Sequence, residues 1–223
     1  MATNLSSQIT APAVPNMGTP AEAYDQRFFN QTLGNLGNYF RRITSIIGTL
    51  FGPRGGKWIN NPYGSFQDFT DQTVAANTAA AMRFDTTDIS NGVSVVSNSR
   101  LTVTQAGIYN LQFSSQFQNT DTQLQDVSIW IRQDAAGAGS DVPGSMGLVS
   151  VPNSHGGIDG HTIVSWNYLV KLNANDFVEL WWSTTSALVS MQAYAAGTSP
   201  TRPSAASVIA TMTFVSNLST ENA

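Results

Sequence analysis

The sequence predicts an all-β protein, an antiparallel jelly-roll sandwich of about eight to ten strands, preceded by an extended N-terminal arm and one α-helix. Three observations predict this fold class. Residues 106–117 alternate between apolar and polar side chains, which is the period-two pattern of a half-buried strand. Residues 63–218 repeat such short runs between turn-forming residues, with no helical period between them. Residues 19–51 instead carry apolar residues at helical spacing.

The segment 106–117, AGIYNLQFSSQF, is the clearest strand of the chain. Its odd positions share large apolar side chains: Tyr109, Leu111, Phe113 and Phe117. Its even positions share amide and hydroxyl groups: Asn110, Gln112, Ser114 and Gln116. Because successive side chains of a strand point to opposite faces, we expect the apolar face in the core and the neutral polar face outside.

The composition is compatible with a self-assembling structural protein and equally with an ordinary β-sandwich. Charged residues make up 11% of the 223 residues, against about 25% in an average globular protein. Neutral polar surfaces repel identical copies weakly, so dense assembly is tolerated. The net charge of −4 comes with no basic stripe for phosphates, and no apolar run approaches the roughly 18 residues that cross a bilayer. We therefore expect no nucleic-acid partner and no membrane partner; the chain has no cysteine, so disulfides are excluded.

The N-terminal part of the chain is predicted to contain an arm and a helix. Residues 1–18 hold two prolines among small polar residues, which predicts an extended arm without a core of its own. Residues 19–51 are predicted to form an amphipathic helix. Its start is indicated by a capping box with Thr19 as the N-cap, Pro20 at the first helical position and Glu22 at the third.

The predicted helix carries one apolar seam. Its members follow each other at alternating steps of four and three, the heptad pattern of a coiled coil: Phe29, Leu33, Leu36, Phe40, Ile43, Ile47 and Leu50. We interpret the seam as a contact with a partner surface, or as a short coiled-coil neck. The alternative is a helix packed on the chain's own β domain. Three glycines in the helix each weaken an isolated helix by about 1 kcal/mol, which argues against a free-standing rod.

A linker is predicted at residues 52–62, with Trp58 anchoring it, between the helix and a jelly-roll domain at 63–218. A polar tail follows at residues 219–223. The segment 24–40, YDQRFFNQTLGNLGNYF, resembles an N-terminal stretch of structural proteins of tailed marine bacteriophages. In those proteins that stretch precedes a variable β domain.

The β domain is also expected to contain one polar turn region and two long loops. Residues 85–92 are rich in Asp, Thr, Ser and Asn, which predicts a turn. Residues 133–161 and 195–207 are rich in Gly, Ser, Ala and Pro, which predicts long loops. One short strand is expected inside the first loop, at residues 146–150.

The order Leu101-x5-Gly107-x-Tyr109-x-Leu111-x-Phe113 resembles the central motif of the tumour necrosis factor/complement globular-head family. The runs 169–182 and 208–215 resemble that family's penultimate hairpin and its last strand. Leu101 and Leu111 stand where the family has aromatic residues. The resemblance implies a jelly roll that assembles as a compact homotrimer, with aromatic-rich sheets packed around the axis.

The alternation of residues in two later strands suggests where subunits would touch. Trp130 alternates with the apolar residues expected in the core, and Trp181 and Trp182 must point to opposite faces. Neutral aromatic surface on the outside of a sheet is typical of an interface. We therefore predict a trimer interface at Trp130, Glu179, Trp181 and Trp182.

The sequence carries no recognisable catalytic arrangement. His155, Asp159 and His161 could in principle hold a metal, but the spacing is not that of a known site and glycines separate them, so a solvent loop is the default interpretation. Asp85, Asp88 and Asn91 could offer oxygens to calcium, yet turn capping explains them. We expect no enzyme activity, no catalytic residues, no metal and no cofactor.

These observations together favour a virion structural protein of a tailed bacteriophage. The leading hypothesis is a trimeric capsid decoration or cement protein on the capsid exterior, present in the host cytoplasm during assembly. Its arm and helix would dock on the lattice of the major capsid protein and stabilise the shell. The alternative is a head- or tail-fibre tip that binds a host receptor or carbohydrate. A trimeric signalling ligand is a third reading, for which we see no secretion signal.

Overall fold

A computed structural model describes residues 12–17, 19, 23, 25–51, 61–134 and 139–218, with the side chains of residues 49–51 left undescribed. The rest of the predicted arm, the linker with Trp58 and the C-terminal tail lie outside the described residues. The chain divides into two compact units, Met1–Asn60 and Asn61–Ala223, and each is considered by itself.

The N-terminal unit contains helix α1, Gln26–Phe51. The Asp25 carboxylate caps the helix, because its Oδ1 accepts the backbone N–H groups of Arg27 at 2.8 Å and Phe28 at 3.3 Å. The prediction of a helix start at Thr19 is therefore wrong: Ala23 and Asp25, which would lie inside such a helix, are not helical. The helix begins directly after Asp25, because the Asp25 carboxylate satisfies free N–H groups of the first turn.

The second unit is built from antiparallel strands. Their bounds in chain order are β1 (Tyr63–Asp68), β2 (Gln72–Thr73), β3 (Ala80–Ala81), β4 (Thr86–Asn91), β5 (Val93–Val96), β6 (Arg100–Val103), β7 (Gly107–Asn119), β8 (Gln125–Gln133), β9 (Ser140–Asp141), β10 (Gly147–Val151), β11 (Gly160–Leu172), β12 (Phe177–Thr184), β13 (Val189–Met191), β14 (Gly197–Thr198), β15 (Thr201–Arg202) and β16 (Val208–Ser216).

The strands form two sheets that pack face to face. Sheet A has the order β2-β13-β7-β16-β1-β4, with β11 also paired to β7. Sheet B has the order β10-β8-β12-β6-β5, with β3 on β12 and β9 on β8. Among the described strands, four pairs nest inside one another along the chain: β1 with β16, β6 with β12, β7 with β11, and β8 with β10. This nested pairing is that of a jelly roll, so the predicted fold class is confirmed.

Two polar segments are more ordered than their composition suggested. Residues 86–91, predicted as part of a turn, form β4 and pair with β1 at the edge of sheet A. The predicted loop 195–207 contains the hairpin β14–β15. An edge strand needs only one backbone partner and no buried side chains, so turn-forming residues can occupy it.

The core lies between the sheets, and the inward face of β7 is at its centre. Tyr109, Leu111, Phe113 and Phe117 are each at most 1% exposed. Trp182 of sheet B packs across from them, with its ring centroid 5.7 Å from that of Phe117. The apolar face expected from residues 106–117 is thus the one that is buried.

Shortening a core side chain of β7 should destabilise the jelly roll far more than shortening its outward neighbour. We expect Leu111→Ala to lower the free energy of unfolding by about 3 kcal/mol, because Leu111 is fully buried and its loss leaves a cavity. Gln112→Ala on the exposed face should change it by less than about 0.5 kcal/mol. Denaturant unfolding of both variants measures the difference, and equal losses would contradict the orientation of β7.

Candidate assembly surfaces

The outer face of sheet B carries a pair of tryptophans. Trp130 on β8 lies directly opposite Trp181 on β12, with ring centroids 6.4 Å apart and an interplanar angle of 35°. Both rings are half-buried. The indole of Trp130 donates to Asp141 Oδ1 at 2.9 Å, and that of Trp181 donates to Glu179 Oε2 at 3.0 Å. The two indoles are thereby held by carboxylates of the same protomer.

Two arginines complete this face. The guanidinium of Arg132 lies 4.1 Å from the ring centroid of Trp181, and its Nε is 3.1 Å from Asp141 Oδ1. The guanidinium of Arg100 lies 4.2 Å from the centroid of the Phe177 ring. These cation–π contacts and ion pairs make the outer face of sheet B a charged, internally bonded surface.

The structure corrects two of the predicted trimer contacts. Trp182 is 1% exposed and belongs to the core, because the alternation along β12 turns Trp181 outward and Trp182 inward. Glu179 is 6% exposed, and its carboxylate accepts from Ser99 Oγ at 2.6 Å and lies 3.5 Å from Arg100. Both residues are buried inside the protomer, so their prediction as subunit contacts is wrong. Trp130 and Trp181 lie on one outer face, and their contact with a partner stays a prediction.

The outer face of sheet A has a different character. Its central residues on β7, β11 and β16 share the absence of charge: Asn110, Gln112, Ser114, Gln116, Ile163, Ser165, Asn167, Leu169, Ile209, Thr211 and Thr213. Ile163 and Leu169 are 69% and 67% exposed. Charge depletion with exposed apolar groups is typical of the centre of a subunit interface. The neutral even positions of residues 106–117 predicted the β7 row of this face. The rows of β11 and β16 follow only from the strand pairing.

A groove lies at one end of the sheet A face, bordered by the hairpin β14–β15. Its lining includes His161, Ile163, Tyr194 and Arg202. The Tyr194 hydroxyl is 3.1 Å from His161 Nδ1. Burial raises the pKa of Tyr194, and the negative charges of two aspartates raise that pKa further. The phenol therefore remains a neutral hydrogen-bonding group at neutral pH.

The residues considered for metal ions are used in other contacts. His161 contacts Tyr194, Asp159 accepts from Gln118 Nε2 at 2.5 Å, and His155 pairs through its backbone with Ile158. Within the part of the chain that the structure describes, no three His, Asp or Glu side chains are grouped to hold a metal ion. The loop 154–161 is thus explained by its own hydrogen bonds.

The calcium candidates also have local partners. Asp85 Oδ1 accepts from Thr86 Oγ1 at 2.8 Å, and Asp88 accepts from the amide of Gln67 on the neighbouring strand β1. These contacts hold the edge strand β4 and the turn before it. Capping and pairing account for both carboxylates.

The third candidate surface is the apolar seam of α1. Phe29, Leu33, Phe40 and Ile47 are 50%, 51%, 59% and 48% exposed, while Leu36 and Ile43 are half-buried and the side chain of Leu50 lies outside the described residues. The helices that the structure describes include none long and apolar enough to span a membrane. The seam is therefore a partly exposed apolar surface that runs along the helix.

Comparison with known proteins finds similarity among solved structures. No family of known proteins matches the chain, and no curated protein matches it. A solved structure, "Structure of Eiger TNF from S. frugiperda", is similar with a TM-score of 0.49 and 12% sequence identity, covering 72% of this chain and 96% of that chain. The jelly-roll assignment itself rests on the nested strand pairing described above.

The buried carboxylate of sheet B should contribute more to stability than the exposed one. We expect Glu179→Ala to cost about 2 kcal/mol of unfolding free energy, because the Ser99 hydroxyl and the Trp181 indole lose their acceptor in a buried site. Asp141→Ala removes an ion pair whose Asp141 side chain is 57% exposed, and should cost less than about 1 kcal/mol. Denaturant unfolding tests both variants, and a larger loss for Asp141→Ala would contradict this assignment.

Proposed function

We propose that the chain is a trimeric capsid decoration, or cement, protein of a tailed bacteriophage. In this proposal the arm and helix dock on the lattice of the major capsid protein, and the jelly rolls project from the capsid exterior. The observation that supports it best is the division of the chain into a jelly roll with a complete core and a leader whose apolar seam is exposed. The arm, residues 1–18, is predicted to have no core of its own, and such a segment suits an anchor that becomes ordered on another surface.

The homotrimer is supported by the contrast between the two outer faces. Sheet B carries Arg100, Arg132 and Asp141, whose charges would lose hydration in a dry interface. Apart from Lys171 at one end of β11, the central rows of sheet A carry no charge, and they expose Ile163 and Leu169. We therefore propose that subunits meet through sheet A, around a common axis.

A trimer also explains how an uncharged arm, residues 1–18, could bind a shell firmly. The N-terminal 18 residues contain no Lys, Arg, Asp or Glu, so one arm contributes little electrostatic attraction. A trimer presents three arms to a surface with matching symmetry. Once one arm is bound, the others act at a high effective concentration, which multiplies the affinity without new contacts.

In this proposal the protein has no enzyme activity, since its function is mechanical. A second candidate function, a fibre tip that binds a receptor or carbohydrate, is favoured by the half-buried pair Trp130 and Trp181. Indole rings on a rigid sheet suit stacking on sugar rings, although Arg132 already covers one face of Trp181.

The face that holds the trimer can be tested with matched leucines. We expect Leu169→Glu on sheet A to convert trimers to monomers, because three carboxylates would be buried near the axis. Leu148→Glu on the outer face of sheet B is the control, with a leucine that is 61% exposed against 67% for Leu169. Light scattering gives the mass. Dissociation by Leu148→Glu or by Trp130→Ala, with Leu169→Glu still trimeric, would instead place the interface on sheet B.

Capsid decoration is tested by mixing purified protein with undecorated capsids. We expect full-length trimers to coat the shell in many copies and to raise its melting temperature, because bound subunits stabilise the assembled state. A version that begins at Tyr63 keeps the jelly-roll core and should leave the shell bare. Full-length protein found at a tail or vertex in few copies would favour the fibre tip, and no binding to any part of the virion would exclude both.

A further inference from the structure

The apolar seam of α1 follows a strict heptad. With positions labelled a to g, the a positions are Leu33, Phe40 and Ile47, and the d positions are Phe29, Leu36, Ile43 and Leu50. None of the three helical glycines falls at a or d. The seam is consequently lined with large side chains over its whole length, and the described members at positions a are about half-exposed.

The residues beside the seam are neutral. Positions e are Asn30, Gly37 and Thr44, and positions g are Thr32, Tyr39 and Ile46. In a coiled coil these positions face the neighbouring helix, where like charges on identical copies would repel. The helix does have three arginines, but Arg27 and Arg41 are at b and Arg42 is at c, away from the contact. This distribution of charge fits a partner that is identical to the helix itself.

Residues 13–16 of the arm lie on the side of the helix that faces away from the seam. Residues 13–16 share a groove with residues at positions b, c, f and g of α1: Asn35, Asn38, Tyr39, Arg41, Arg42 and Ser45. No a or d residue lines that groove. Residues 13–16 therefore lie beside the outer side of the helix, away from the seam.

We propose that the seam of α1 packs against the same seam of two further copies of this chain, as a parallel three-stranded coiled coil. This inference rests on the proposed homotrimer, since cyclic symmetry requires the helices to run in the same direction. Leu33 at an a position and Ile43 at a d position depart from the pattern that favours two strands. Contact with the shell then falls to the arm and to the arginine side of the helix, instead of to the seam.

The absence of cysteine allows a direct test in the full-length protein. Leu33→Cys places a thiol at an a position, and the matched control Gln31→Cys places one at an exposed f position. A short bifunctional maleimide should link most Leu33→Cys chains into covalent dimers and leave Gln31→Cys largely unlinked. In an antiparallel pair the two Leu33 positions would be roughly 16 Å apart, beyond a short linker. Ile47→Cys, at another a position far from the middle of the helix, with Ser45→Cys as control repeats the test if Leu33→Cys does not fold.

The mass of the uncrosslinked protein separates the two proposals. A trimer in which the a and f thiols link equally little would overturn the coiled coil and keep the proposed trimer; the seam would then lie on the chain's own jelly roll or on the shell. A monomer by light scattering, with no crosslinking at either position, would overturn both. A trimer with linking confined to the a position supports the inference.

Discussion

Strand β7 must bury one face and present the other outside, and both sheets are arranged around that requirement. Its inward residues, among them Tyr109 and Phe113, are excluded from solvent between the sheets. Each large apolar side chain contributes about 2 kcal/mol by leaving water. Because β11 and β16 pair with β7 on its two sides, the core and the neutral outer face extend together over neighbouring strands.

The distribution of charge gives the two outer faces different capacities. On sheet B, Arg100 and Arg132 stack on aromatic rings and pair with Glu179 and Asp141, so the charges are satisfied within one protomer. On sheet A, the central rows have no charges to desolvate apart from Lys171 at one end of β11. The charges on sheet B therefore stabilise a single subunit. The outer face of sheet A is the one that the proposed trimer would use.

The leader follows a different physical rule from the jelly roll. Its helix begins directly after the capping residue Asp25, but its seam is not covered within the described part of its unit. Helices gain most of their stability from packing an apolar face. The proposed coiled coil would pack the apolar face of each helix with the same threefold symmetry as the proposed trimer. The three arms would then extend from one end of the coiled coil.

The sequence by itself determined the fold class, the position of the central strand and the existence of the seam, because period-two and heptad patterns are local and strong in residues 106–117 and 29–50. It placed the start of α1 at Thr19 instead of after Asp25, and it could not decide which of Trp181 and Trp182 points inward. Alternation places these tryptophans on opposite faces, but only the second sheet makes one face the interior. The sequence also did not reveal the buried site of Glu179 or the neutral central rows on the outer face of sheet A. Both depend on strands that are distant along the chain and adjacent only in the fold.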